Sequence, residues 1–302
     1  MSNLVVTDGM IPFVVGNETF ETYYKLVGDI SSSPSPACIV LHGGPGISHD
    51  YLTPISDLAA GPSAIPIIFY DQIGNGRSTA LHHKNISFWT IDLFIDELEN
   101  LLAHFRISDN HAILGHSWGA MLASEFIIRR QPQGLRRLVL SNGLVSAKLC
   151  SEARAELRKQ LPQDVQDGLK KHEDEGTTKS DEYKSYMSVF WQTFGCRVTP
   201  SPPDVSYSMS LADTYPTVHD SMMNGPAGLG DKWDIRDRFH LMRHVPALLI
   251  NGEFDYMTDD VCGPWFWALD RVKWYKFSNS SHMPWYEERE LYMTLVGSFL
   301  RQ

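Results

Sequence analysis

The sequence predicts an α/β protein, a mostly parallel central sheet flanked by helices and interrupted by an inserted, mainly helical cap. Three observations predict it. Short continuous apolar runs that end in glycine or polar residues, such as "CIVLHGG" (38–44) and "IPIIFYDQ" (65–72), alternate with stretches of helical apolar spacing. That is the pattern of strands buried on both faces of a parallel sheet. Another such run, in "ILGHSWGAM" (113–121), ends in a serine held between glycines directly before a helical pattern. From about 147 to 235 the alternation gives way to charged helical stretches and aromatic segments rich in Pro, Ser and Gly, and then it resumes.

Taken in order, residues 4–28 mix β-branched and aromatic residues around the turn signals Asp8-Gly9 and Gly16-Asn17, which reads as antiparallel strands at a sheet edge. The Ser/Pro-rich loop "SSSPSPA" precedes the first buried run. "SFWTIDLFIDELENLLAHF" (87–105) is helical, with Ser87 or Thr90 as its cap. "HAILGHS" is a strand, a helix spans about 118 to 130, and "LRRLVLSNG" is the next strand. Strand, helix and strand in this succession imply right-handed crossovers. After the insertion come "VPALLINGEFD" (245–255), "VKWYKFSNSSH" (272–282) and a final helical pattern, "EERELYMTLVGSFL". The expected organisation is a core in two parts, residues 1–146 and 236–302, around a cap at 147–235.

Composition narrows the function. A chain of 302 residues with 43% hydrophobic and 21% charged residues is globular and large enough for a substantial core. A net charge of −10 with no local Lys/Arg cluster repels phosphate backbones, which argues against a nucleic-acid partner. No apolar run reaches membrane-spanning length, and the N-terminus lacks the basic-then-apolar pattern of a secretion signal. A cytoplasmic protein acting on a small molecule is expected, with no membrane partner. Cys38, Cys150, Cys196 and Cys262 are scattered without metal-ligand spacing and read as reduced packing residues.

Small-x-Ser-x-small between a strand and a helix is a nucleophile elbow. It holds the Ser117 hydroxyl out of the sheet edge and aims the backbone N–H of Trp118, at a helix N-terminus, toward a developing oxyanion. A serine hydroxyl needs a base and a group that orients the base. In chain order these are an acid after a late strand and a histidine after the last one. Asp255 follows "ALLING" and His282 follows "KWYKFSNSS". His82, His83, His111, His240 and His244 lie in polar loops or strand flanks and read as structural or solvated; Asp259 and Asp260 look like a helix start. The loop "LHGGPG" (41–46) supplies the second oxyanion donor: Gly43 and Gly44 let N–H groups face the site, Gly44 being the donor chosen and Gly43 a substrate contact.

"HGGPG" (42–46), "DQIGNGRS" (71–78), "GHSWGA" (115–120), "MNGP" (223–226) and "GEFD" (252–255) together resemble the proline iminopeptidase family of α/β-hydrolases, over nearly the whole chain. The resemblance implies the α/β-hydrolase fold, with Ser117 as nucleophile, His282 as base, Asp255 as its partner, and Trp118 with Gly44 as oxyanion donors. It makes "DQIGNGRS" a structural loop; Gly74-x-Gly76 alone hints at a dinucleotide site, but no third glycine follows at the required spacing. No metal and no organic cofactor are required.

Two departures stand out. Peptidases of that family hold the substrate's free amino group with glutamates, one shortly after "MNGP" and one just after the catalytic aspartate. Here those places read Ala227-Gly228-Leu229 and Tyr256. Asp213, Asp220, Glu253 and Asp259 are the acids left to take over that role. The cap is instead rich in Tyr183, Tyr186, Phe190, Trp191, Phe194, Tyr215, Met222 and Met223, which favours an apolar acyl or leaving group. Trp191, Tyr215, Met223 and Tyr256 are the expected substrate contacts. The sequence therefore predicts a serine hydrolase of a small amide or ester. An esterase or lactonase for an uncharged apolar molecule is the alternative, and a hydrolase-fold receptor with slow or no turnover is the alternative from another class. Epoxide hydrolase and dehalogenase chemistry need an aspartate at the elbow, where Ser117 stands.

Overall fold

The computed structural model describes residues 4–61 and 64–302. Strands β1 (Val6–Val15) and β2 (Glu18–Val27) form a hairpin, followed by β3 (Ala37–Leu41), β4 (Ile67–Tyr70), β5 (His111–His116), β6 (Leu135–Ser141), β7 (Ala247–Gly252) and β8 (Val272–Phe277). They make one sheet in the order β1-β2-β4-β3-β5-β6-β7-β8. β2 runs antiparallel to β1 and β4, and every other neighbouring pair is parallel. The hairpin turns at Gly16, whose φ of +60° suits glycine. Asp8-Gly9, expected as a second turn, lies inside β1 instead. Gly9 pairs with Tyr24, and a Cβ there would meet the tyrosine ring at 3.1 Å, so this glycine makes room for a cross-strand aromatic.

Every residue of β3, β4, β5 and β7 is buried, because helices cover both faces. Alternate residues feed two cores. Ile39, Ile113, Leu138 and Leu249 pack on one side with α1 (Ile91–His104) and α2 (Trp118–Arg130). Val40, Leu114, Val139 and Ile250 pack on the other with the 3₁₀ segment Asp50–Ala59 and α10 (Arg289–Leu300). The cap of α1 is Thr90, whose hydroxyl accepts from the Leu93 N–H at 3.1 Å; Ser87 sits in a preceding 3₁₀ turn. Between β6 and β7 come α3 (Ala147–Arg158), α4 (Gln163–Asp174), α5 (Asp181–Phe194), α6 (Pro203–Thr214) and α7 (Thr217–Asn224). α8 (Asp259–Ala268) links β7 to β8, and the last helical pattern divides at Glu288 into α9 (Pro284–Glu287) and α10. No helix among the described residues is long and apolar enough to cross a membrane.

Candidate active site

β5 ends at His116 and α2 begins at Trp118, which leaves Ser117 alone in the turn with φ 55° and ψ −118°. A non-glycine residue in that region is strained and persists only where its surroundings hold it. They do so through contact that side chains would forbid. A Cβ on Gly119 would lie 2.1 Å from the Leu41 carbonyl oxygen, and one on Gly115 would lie 2.3 Å from that of Gly119. The Ser117 N–H donates to the Ser141 carbonyl at 3.1 Å, which ties the elbow to the neighbouring strand. Trp118 opens α2, so its N–H has no intrahelical acceptor and points from the positive end of the helix.

Asp255, in the turn after β7, and His282, in the loop after β8, are both buried and meet at 2.8 Å between Oδ1 and Nδ1. The carboxylate also accepts from the Met257 N–H at 2.9 Å and, on its other oxygen, from Asn142 Nδ2 at 2.7 Å. With a carboxylate on Nδ1, that nitrogen carries the hydrogen and Nε2 is the acceptor. The lone pair of Nε2 is occupied in this structure: the Tyr256 hydroxyl donates to it at 3.0 Å, with the Ser117 side chain beside it. Burial, with the charge of Asp255 behind it, pushes the Tyr256 phenol well above its ordinary range, so it remains a donor. Asp259 and Asp260 open α8; Asp259 bonds Asn251 at 2.8 Å and Lys276 at 3.2 Å. Of the other histidines, His82, His83, His240 and His244 are exposed, and buried His111 bonds the Ile107 carbonyl.

Two buried side chains that the motifs did not single out, Tyr51 and His116, connect these loops. The Gly43 N–H donates to the Tyr51 hydroxyl (2.7 Å), Tyr51 donates to His116 Nδ1 (2.6 Å), and His116 Nε2 donates to the His282 carbonyl (3.1 Å). Burial drives the pKa of His116 well below the usual histidine range, so it stays neutral and accepts from Tyr51. Gly43 thus departs from its expected role. Its N–H is taken by Tyr51, it does not line the cavity, and its missing Cβ admits Ser117 Cβ to 3.1 Å. Gly44 does line the cavity, at φ +106°, and its N–H has no acceptor among the described residues. His116 sits inside the elbow motif, which is the one signal that pointed to this relay; Tyr51 and Asn142 had none.

The cavity over Ser117 has a volume of about 440 Å³. Of the residues expected to contact substrate, Trp191, Met223 and Tyr256 line it. Tyr215 does not: it is 46% exposed and stacks on His82 at 4.5 Å between ring centroids, outside the cavity. α3 contributes Arg154 and Arg158, which sequence reasoning missed because the helix reads simply as charged. No Asp or Glu among the described residues lines the cavity. Asp213 and Asp220 are exposed, Glu253 and Asp259 pair with Lys276, and Leu229 and Gly230 reach the wall where Gly228 does not.

His49, Asp50 and Asp71 bring three possible metal-ligand atoms within 4.8 Å of one another. They are already satisfied. Asp71 accepts from the N–H and ring of His49 and from Arg77, and Arg77 forks onto Asp50 at 2.8 and 2.9 Å. Burial alone would raise the Asp71 carboxyl, but those donors hold it down at about 2. The cluster braces the "DQIGNGRS" loop rather than fitting a cation.

A strained serine at this elbow, in a sheet of this order, defines an α/β-hydrolase. The sequence model of the alpha/beta hydrolase fold family matches residues 36–288. The chain is 33% identical to the proline iminopeptidase of Saccharolobus solfataricus, over 93% of this chain and 89% of that protein. Among solved structures it resembles VinJ (37% identity, TM-score 0.90, 97% of this chain and 98% of that one). It also resembles the proline iminopeptidase of Mycobacterium smegmatis (34% identity, TM-score 0.87, 98% of each chain). The chain belongs to the proline iminopeptidase family of α/β-hydrolases.

Proposed function

We propose that the protein is a serine hydrolase that cleaves a small amide or ester through an acyl-enzyme. Ser117 attacks the carbonyl carbon while His282 Nε2 takes its proton, and Asp255 holds the imidazole tautomer and faces the imidazolium that forms. The oxyanion sits between the N–H groups of Trp118 and Gly44. His282 then gives its proton to the departing nitrogen or oxygen. A water that yields its proton to the same nitrogen attacks the acyl carbon and frees Ser117. The observation that carries this reading is the 2.8 Å bond between His282 and Asp255, with His282 and Ser117 lining one cavity. A fluorophosphonate probe is expected to label wild type and leave Ser117→Ala untouched. Labelling that survives the substitution removes the nucleophile.

The relatives' name speaks for an amide with a free amino-terminal proline. The cavity speaks for a substrate without an ammonium group, because no lining carboxylate offsets the desolvation of one. That observation favours an ester or lactone as the second reading. A proline arylamide, its N-acylated analogue and an uncharged aryl ester separate the two. A hundredfold preference of wild type for the free-amino substrate would overturn the second reading, and tight binding of all three without turnover would make the protein a receptor.

A further inference from the structure

The geometry points to Arg154 as a carboxylate-binding subsite, so that the acyl group hydrolysed here carries an anionic end. This rests on the hydrolase reading above and names its substrate class. The cavity face of α3 carries Ala147, Cys150, Ser151, Arg154 and Arg158 at helical spacing, so two arginines line the same wall. Only one is neutralised. Arg158 forks onto Glu173 at 2.5 and 3.1 Å, while Arg154 has no carboxylate partner among the described residues.

What holds Arg154 is aromatic. Its guanidinium carbon lies 5.6 Å from the ring centre of Phe190 and 5.9 Å from that of Tyr256. Such contacts hold the cation without using its N–H donors, and those donors bond no described residue, which leaves them available to a bidentate carboxylate. Tyr256 also fixes where that carboxylate lies relative to the reaction. Its hydroxyl is on His282 Nε2 and its ring is under Arg154, so the cation stands one aromatic side chain away from the reacting atoms. In a chain of net charge −10, a half-buried arginine facing a cavity without acids is a local reversal of the protein's field. It attracts an acid and repels the ammonium group that a free amino terminus would bring. The carboxylate belongs on the acyl portion, which remains in the cavity on Ser117 through both half-reactions.

The test uses three 4-nitrophenyl esters of eight-carbon acids that end in a carboxylate, a carboxamide or an ammonium group. Wild type is expected to hydrolyse the carboxylate ester with kcat/KM about tenfold or more above the carboxamide, and the ammonium ester below both. The readout is the ratio within one protein, so a general loss of activity in a variant cancels. In Arg154→Met the carboxylate-to-carboxamide ratio falls to about one, and in Arg154→Glu the order of carboxylate and ammonium reverses. Equal rates for carboxylate and carboxamide in wild type, or a ratio that persists in Arg154→Met, overturns the proposal. If no ester turns over and the fluorophosphonate leaves Ser117 unlabelled, the hydrolase reading has failed separately. Calorimetric titration with suberic acid monoamide against suberamide then decides the subsite: tighter binding of the acid that vanishes in Arg154→Met supports it, and equal binding overturns it.

Discussion

Replacing Tyr256 by Phe is expected to speed phosphonylation of Ser117 by a small, undemanding reagent. The Tyr256 hydroxyl donates to His282 Nε2 at 3.0 Å, so the nitrogen that receives the serine proton in the proposed mechanism is already engaged. On that mechanism Ser117 gains its base only after the bond opens. A neutral buried hydrogen bond contributes about 0.5–1.5 kcal/mol net, which places the resting occlusion at roughly a two- to tenfold factor in rate. Phenylalanine removes the donor and keeps the ring, which lies tilted against His282 at 4.3 Å between centroids and meets Trp191 edge-on at 5.6 Å, so the cavity wall is retained. The assay is the second-order rate of fluorophosphonate labelling at fixed pH, with the melting temperature of each protein as a check on the fold. A slower rate in Tyr256→Phe with unchanged melting refutes the reasoning, and would mean that the hydroxyl helps carry the proton instead of competing for its acceptor.

Two further outcomes follow from the same hydrogen bonds. Asn142→Gly removes the 2.7 Å donor to Asp255 at a residue whose φ of 53° glycine accepts; losing one charge-assisted bond, worth about 1.5–3 kcal/mol, is expected to lower kcat/KM for an aryl ester about ten- to a hundredfold, and activity within twofold of wild type would refute this. Burial pushes the Glu97 carboxyl up to about 8, against hydrogen bonds from Thr22 and Ile73 that favour its ionised form. Because the folded value lies above the unfolded one, near 4.5, the stability this group contributes is complete below about 4.5 and is lost as pH rises through about 8. The melting temperature of wild type relative to Glu97→Gln should therefore fall between pH 5 and 8 and level off above. A difference that stays constant across that window removes Glu97 as the source.

The sheet was legible because burial on both faces leaves a local mark. β3, β4, β5 and β7 are continuous apolar runs, and the helix expected from about 118 to 130 is α2. Local signals failed where a long-range contact decided the outcome. Asp8-Gly9 has the composition of a turn, yet Gly9 serves Tyr24 across the hairpin and the strand runs through it. Aromatic residues in the cap carry no sign of which way they face, so Trp191 reaches the cavity while Tyr215 lies outside on His82. Chain order brought Asp255 and His282 into view, and their side chains meet. Tyr51 and Asn142 were invisible because each reaches the site through a residue far along the chain, His116 and Asp255 respectively.

The two walls of the cavity are held by different physics, and that difference assigns them different work. On the sheet side, Gly43, Tyr51, His116 and the His282 carbonyl form one buried chain of hydrogen bonds that spans the Gly-rich loop, the elbow and the histidine loop. In a low-dielectric interior such a chain is costly to leave half-satisfied, so it holds the three loops in one arrangement before any substrate arrives. On the α3 and α5 side, Arg154, Trp191 and the Tyr256 ring meet through aromatic faces and a cation, contacts worth about 0.5–2 kcal/mol each and tolerant of displacement. Tyr256 belongs to both walls, with its hydroxyl on His282 and its ring beside the arginine. In the proposed mechanism the base and the anion-binding arginine therefore flank one side chain, Tyr256, at a position where the resemblance to the peptidases implies a glutamate.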